Sequence, residues 1–262
     1  MRYSPKIRAI AYALLFYLGC VVLFVLASSV TSNLPAAYKE LLSLSTAVVL
    51  TFGLTLLFVK WKKLQLKDAG IAFKKVNGYQ FLFGFMAGLI MTIVQLSIMT
   101  LTGHISLTQI STTGFGTVLI NFALYTMVAL REEMAFRGYP LFTIKGATGP
   151  WVAQGIIFCV FVIEHVFGGM TWTQALLGSG TGAILFGLAA LKTNNLALGF
   201  GLHTAWNFSQ WTLGYKGYAG LYALNIDKGY EQTIDMVSWG AYLFVMWVMI
   251  GLIGFYKGKP VS

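Results

Sequence analysis

Long apolar stretches separated by short polar loops dominate this chain. Eight stand out: Ala9–Ser29, Leu42–Val59, Tyr79–Leu101, Thr117–Ile144, Trp151–Phe167, Gln174–Leu191, Leu196–Gly214 and Ile234–Tyr256. A helix that crosses a bilayer needs roughly 20 predominantly apolar residues. The pattern therefore predicts an all-α, polytopic transmembrane bundle of about eight spans.

Composition agrees. Of the 262 residues, 57% are hydrophobic and 10% are charged, against about 25% charged in a soluble domain. Lipid is the expected solvent for most of the surface, and residues 1–262 read as a single integral membrane domain. No internal repeat, low-complexity linker or soluble domain interrupts the apolar runs. The basic start, Met1 to Arg8, precedes an apolar run in which Ala27 and Ser29 resemble a signal-peptidase site. That run is longer than a usual signal core, so a retained first helix is expected. Cys20 and Cys159 both fall inside apolar stretches and read as small core residues, with no disulfide expected between them.

The net charge of +10 would suggest nucleic acid in a soluble protein. Here the lysines sit in loops between apolar runs, which reads as orientation against anionic lipid, with membrane lipid the partner and no nucleic acid expected. With the N-terminus in the cytoplasm, Arg2, Lys6, Arg8, the Lys60–Lys75 group, Lys145, Lys192, Lys257 and Lys259 all lie inside. Lys39, Lys216 and Lys228 lie outside. Both termini are therefore expected to be cytoplasmic.

Several ionisable residues fall within the apolar stretches. Arg131, Glu132, Glu133 and Arg137 lie in the fourth, Glu164 and His165 in the fifth, and His203 in the seventh. Charges at membrane depth are costly and mark function by default. Their depths are compatible if the fourth helix continues to Lys145. Glu132 is then roughly 20 Å from its inner end, and His165 is roughly 22 Å above Pro150, at 1.5 Å per residue. A fourth helix ending at Arg137 would separate these residues.

Helical spacing assigns expected roles. Glu133 and Arg137 are four residues apart and can pair, which suits a supporting role. Glu132 points about 100° away and is freer to act as a general base. The bland alternative is an ion-pair network that fixes helix packing. Phe161 and His165 share a helix face, as do His203 and Asn207. An imidazole beside a carboxamide makes a plausible oxyanion site, although His and Asn also join helices by hydrogen bonds in membranes. Gly199 and Gly201 permit close helix approach in either case. No Gly-x-Ser-x-Gly, Ser–Lys pair, phosphate loop or His-Glu-x-x-His is present. Glu132, His165 and His203 could together hold zinc with an open position. His104 sits in an outer loop and is expected to be uninvolved.

Taken together, Glu132-Glu133-x-x-x-Arg137 with Phe136 and Gly138, Phe161-x-x-x-His165 and His203-x-x-x-Asn207 resemble the three signatures of the CPBP family. This is the CAAX-protease and bacteriocin-processing family of intramembrane endopeptidases, also called Abi proteins. The Lys192–Asn195 turn before the third signature resembles it too. The resemblance covers a core at residues 117–208. It implies a helical bundle with a polar intramembrane cavity and a protein or peptide substrate, in a prokaryotic cell membrane given the short loops. Carried over, Glu132 and His165 would activate water, and His203 and Asn207 would stabilise the oxyanion, with Glu133 and Arg137 in support. The family has been regarded both as metal-dependent and as metal-free. Asn207 is a poor zinc ligand and a good oxyanion donor, so no cofactor is expected here, with zinc the alternative. Two further function classes are a non-catalytic membrane scaffold or bacteriocin-immunity factor and a proton-coupled transporter.

Overall fold

Ser4 opens the first helix, α1 (Pro5–Val30), by accepting the Ile7 amide at 3.4 Å, and Pro5 fits the first turn because no helical hydrogen bond is lost there. The computed structural model describes residues 4–215 and 220–256. Arg2, Lys216, Lys257 and Lys259, used above for orientation, lie outside the described residues. Helices α2 (Ala36–Trp61) and α3 (Lys75–Thr100) follow, then strand β1 (Ile105–Gln109) and α4 (Phe115–Glu132). Next come α5 (Tyr139–Thr148), α6 (Pro150–Phe167), α7 (Gly180–Thr193), α8 (Ala197–Thr212), strand β2 (Tyr222–Ile226) and α9 (Glu231–Phe255).

The chain is a helical integral membrane protein. Helices α1, α2, α3, α6 and α9 and the segment Gln174–Thr193 are each long and apolar enough to cross a bilayer. The expected fourth and seventh spans are not among these six. The first of them carries Arg131 and Glu132 at the end of α4, and α8 is only 16 residues long and contains His203, Asn207 and Gln210. Large apolar side chains such as Leu18 and Val22 on α1, Ile90 and Ile93 on α3 and Trp247 on α9 face outward, as a lipid-facing surface requires.

Two hydrophobic cores divide the bundle. One gathers Phe16, Phe58, Phe136, Tyr139, Ile144 and Ile157 around α1, α2, α5 and α6. The other gathers Met91, Leu185, Phe186, Leu202 and Met246 around α3, α7, α8 and α9. The closest helix crossing, between α3 and α8, depends on missing side chains. A Cβ on Gly84 would strike the Leu198 carbonyl, and one on Gly88 would lie 2.8 Å from Ala205 Cβ. Gly201, on the other helix, faces the Phe81 carbonyl just as closely. Small residues four apart let helix backbones approach in membranes, and here they fix the height and rotation of α8.

Three features correct the sequence expectation. The all-α reading misses an antiparallel ribbon in which Ile105 pairs with Ile226 and Gln109 with Tyr222. The ribbon ties the α3–α4 connection to the α8–α9 connection. The fourth span, expected to be one helix over Thr117–Ile144, is broken. After α4 the chain makes a wide π turn over Glu133–Arg137, and α5 begins beyond Gly138. Pro140 explains this. Its nitrogen carries no hydrogen and its ring crowds the carbonyl four residues earlier, on Phe136, and a π turn relieves that crowding by one extra residue. Gly138 is required at the break because a Cβ there would lie 2.6 Å from the Met134 carbonyl oxygen. Helix resumes in α5 and runs to Thr148, so the expected single fourth helix is replaced by two helices joined by the π turn. Third, Cys20 is buried as expected, but Cys159 is exposed on the outside of α6.

Candidate active site

The polar residues of the spans meet at the seam between the two cores. The π turn presents Glu133 and Arg137 inward, and both side chains are wholly buried, with Arg137 Nη1 donating to Glu133 Oε1 at 2.8 Å. The guanidinium also lies 4.7 Å from the centre of the Phe161 ring in one core and 5.4 Å from that of Phe186 in the other. Aromatic faces attract such a cation, and more strongly when water is excluded. Gly199 makes room for the carboxylate, because a Cβ there would stand 3.1 Å from Glu133 Oε2.

Glu133 Oε1 serves a second partner that the sequence does not reveal. His203 Nδ1 lies 3.1 Å from it, and the imidazole stacks on Phe186 with 4.4 Å between ring centres. With Nδ1–H donated to the carboxylate, Nε2 turns toward Glu132, whose Oε2 is 3.7 Å away. Glu132 is held from its other side by Arg131, with Nη2 at 3.5 Å from Oε1. The same Nη2 is 3.6 Å from Glu164 Oε1, and Tyr17 donates to Glu164 Oε2 at 2.9 Å. Arg131 and Glu164, unassigned by spacing, thus form a chain of charges from α1 to Glu132. A signal for this chain was available: a charge inside a span needs a partner.

His165 approaches from the end of α6. Its ring leans on Phe161 with 4.3 Å between ring centres, and Nδ1 lies 2.8 Å from the Phe161 carbonyl oxygen. A carbonyl only accepts, so Nδ1 carries a proton, and it is Nε2 that can offer a lone pair. Glu132, His165, His203 and Asn207 all line one cavity of about 510 Å³. The four residues singled out by spacing, from α4, α6 and α8, thus come to one cavity, while Glu133 and Arg137 are buried beside His203. His104 does not line this cavity; it stacks on Tyr230 and pairs with Asp227 at 3.2 Å beside the ribbon.

Residues 114–209 match the family described as type II CAAX prenyl endopeptidase Rce1-like. This segment is an Rce1-like domain of the CPBP family. No curated protein matches the chain. The Rce1-like segment begins at the foot of α4 and ends within α8, so it contains the four cavity residues and both supporting ones. The family implies a peptidase that works within the membrane.

Among the described residues, no three His, Cys, Asp or Glu side chains stand together as a metal-holding group. The Nδ1 atoms of His203 and His165 are committed to Glu133 and to a backbone carbonyl, which leaves Nε2 as the ring nitrogen each can offer to a ligand.

Proposed function

We propose that this protein is an intramembrane endopeptidase that hydrolyses a peptide bond with water activated by Glu132 and His165. The observation that carries the reading is the convergence of Glu132, His165, His203 and Asn207 on one cavity within the Rce1-like segment. Glu132 accepts a proton from the attacking water, and the lone pair on His165 Nε2 helps to orient that water. Hydroxide adds to the carbonyl carbon. The resulting oxyanion accepts hydrogen bonds from the Asn207 carboxamide and from His203 Nε2 when that nitrogen bears a proton. The tetrahedral intermediate then collapses, the C–N bond breaks, and the proton held by Glu132 passes to the leaving amine. A new carboxylate and a new amine result, with no cofactor in the balance.

Glu133 and Arg137 act through others. They hold His203 in one rotamer with Nδ1 against the Glu133 carboxylate, as carboxylates behind catalytic imidazoles do in other hydrolases. The family description supplies CAAX prenyl peptides as one substrate class; the chain's own residues support a peptide substrate in general.

Single and double replacements at Glu132 and His165 test the proposal. Two groups acting on one water behave as a unit, and their losses do not add. Cleavage of membrane peptides, followed by mass spectrometry, should fall sharply in Glu132→Gln and in His165→Ala, and little further in the double variant. Full cleavage in either single variant would defeat the reading and favour a scaffold role.

A further inference from the structure

We propose that the cavity opens on the extracytoplasmic face, so that the enzyme cleaves exported or outward-facing peptide segments. The cleavage rests on the proposed peptidase activity; the direction of opening stands on separate observations.

The bundle has two distinguishable ends. One is marked by the ribbon, where α3, α6 and α8 finish and α4 and α9 begin. The other is held together by the Leu196 amide donating to the Gly70 carbonyl at 2.9 Å and Lys145 Nζ donating to Asn194 Oδ1 at 2.6 Å. At this second end lie Lys6, Arg8, the Lys60–Lys75 group, Lys145 and Lys192, with Asp68 the one acid among the described residues there. The ribbon end carries Lys39 and Lys228 against Glu40, Asp227, Glu231 and Asp235. Short loops rich in Lys and Arg stay in the cytoplasm. The ribbon end is then outside.

The cavity belongs to the ribbon end. His165 is two residues from the last residue of α6, and Asn207 is five from the last residue of α8. The rim beyond them is formed by Met170 and Gln174, both exposed, and by Gln210 and Tyr215 where α8 ends. In the opposite direction the floor is Phe186 and Met246, buried in the second core. Gln95, Gln174, Gln210 and Ser238 give the wall amide and hydroxyl groups, which suit the backbone of an extended peptide. A substrate entering from the basic end would meet the buried Phe186 and Met246 before the cavity.

Thiol accessibility decides the direction. In a background with Cys20→Ala and Cys159→Ala, single cysteines are placed at Ser106 and Gln174 on the ribbon end, and at Lys67 and Gly146 on the basic end. A membrane-impermeant maleimide is added to sealed right-side-out vesicles, with detergent-permeabilised vesicles as the reference. The proposal expects Ser106→Cys and Gln174→Cys to label in sealed vesicles and Lys67→Cys and Gly146→Cys to label only after permeabilisation. Labelling of either basic-end cysteine in sealed vesicles, or protection of both ribbon-end cysteines, would overturn it. Two positions per end guard against one variant that folds poorly. Cleavage lost in Glu132→Gln but with reversed labelling would refute the direction alone; outward labelling with cleavage retained in Glu132→Gln would refute the peptidase reading alone.

Discussion

Replacing Glu133 with alanine removes the one acidic partner, among the described residues, of the Arg137 guanidinium, which has no access to solvent. Both side chains are fully buried and joined at 2.8 Å, so the Arg137 charge cannot recover its lost hydration. Breaking a buried pair in this way costs about 3–5 kcal/mol. The aromatic faces of Phe161 and Phe186 offset part of that, at ~2 kcal/mol when desolvated, which favours the lower end of the range. At 1.4 kcal/mol per decade, about 3 kcal/mol is roughly a hundredfold shift in the folding equilibrium. Denaturant titration in a fixed detergent, read by tryptophan fluorescence, measures it. The double variant Glu133→Leu, Arg137→Met is informative because it removes both charges. It should be more stable than Glu133→Ala, yet still below the parent, because His203 Nδ1 loses its acceptor at Oε1 and an unsatisfied buried donor costs ~1–3 kcal/mol. A loss under about 0.5 kcal/mol in Glu133→Ala, the scale of an ordinary surface change, would refute the claim that this pair holds the site.

Other predictions follow from the same geometry. Asn207→Ala should lower kcat by ~10²–10³ with KM little changed, as loss of one oxyanion donor does; steady-state kinetics on a cleaved peptide separates the two constants. Gly88→Val should destabilise by about 1–3 kcal/mol through overpacking against Ala205 and Leu202, whereas Gly240→Ala, which meets nothing within 4 Å, should be near neutral in the same titration. Purified protein should contain no stoichiometric zinc by elemental analysis and should keep its activity after chelator treatment. Zinc lost on His165→Ala or His203→Ala would contradict the metal-free account.

Much of the site was legible because helical spacing alone relates its members. Glu133 and Arg137 four apart, Glu132 turned away from them, and His203 with Asn207 on one face all follow from a 3.6-residue period. Six of the eight expected spans were legible because lipid forces long apolar runs. What spacing cannot supply is which helices touch. The Glu133–His203 bond joins α8 to the π turn, and the Tyr17–Glu164–Arg131 chain reaches across three helices; neither leaves a local trace. The ribbon pairs segments more than a hundred residues apart, and five alternating residues are too few to announce a strand beside long apolar helices. The break at Gly138 is different. Pro140 stood in plain view inside a predicted span, and a proline there argues for a kink or a π turn. The apolar run outweighed it because both halves remain helical.

The central claim is that Glu132 activates water in this cavity. Its most direct measurement is the single-turnover cleavage rate of purified Glu132→Gln in liposomes, beside the parent protein and with matched unfolding curves. Glutamine keeps the size and polarity of the side chain and removes the base. The account predicts a rate lower by at least ~10²–10⁴, the contribution of a positioned general base, with stability unchanged. A folded Glu132→Gln protein that cleaves within a few-fold of the parent rate would contradict it.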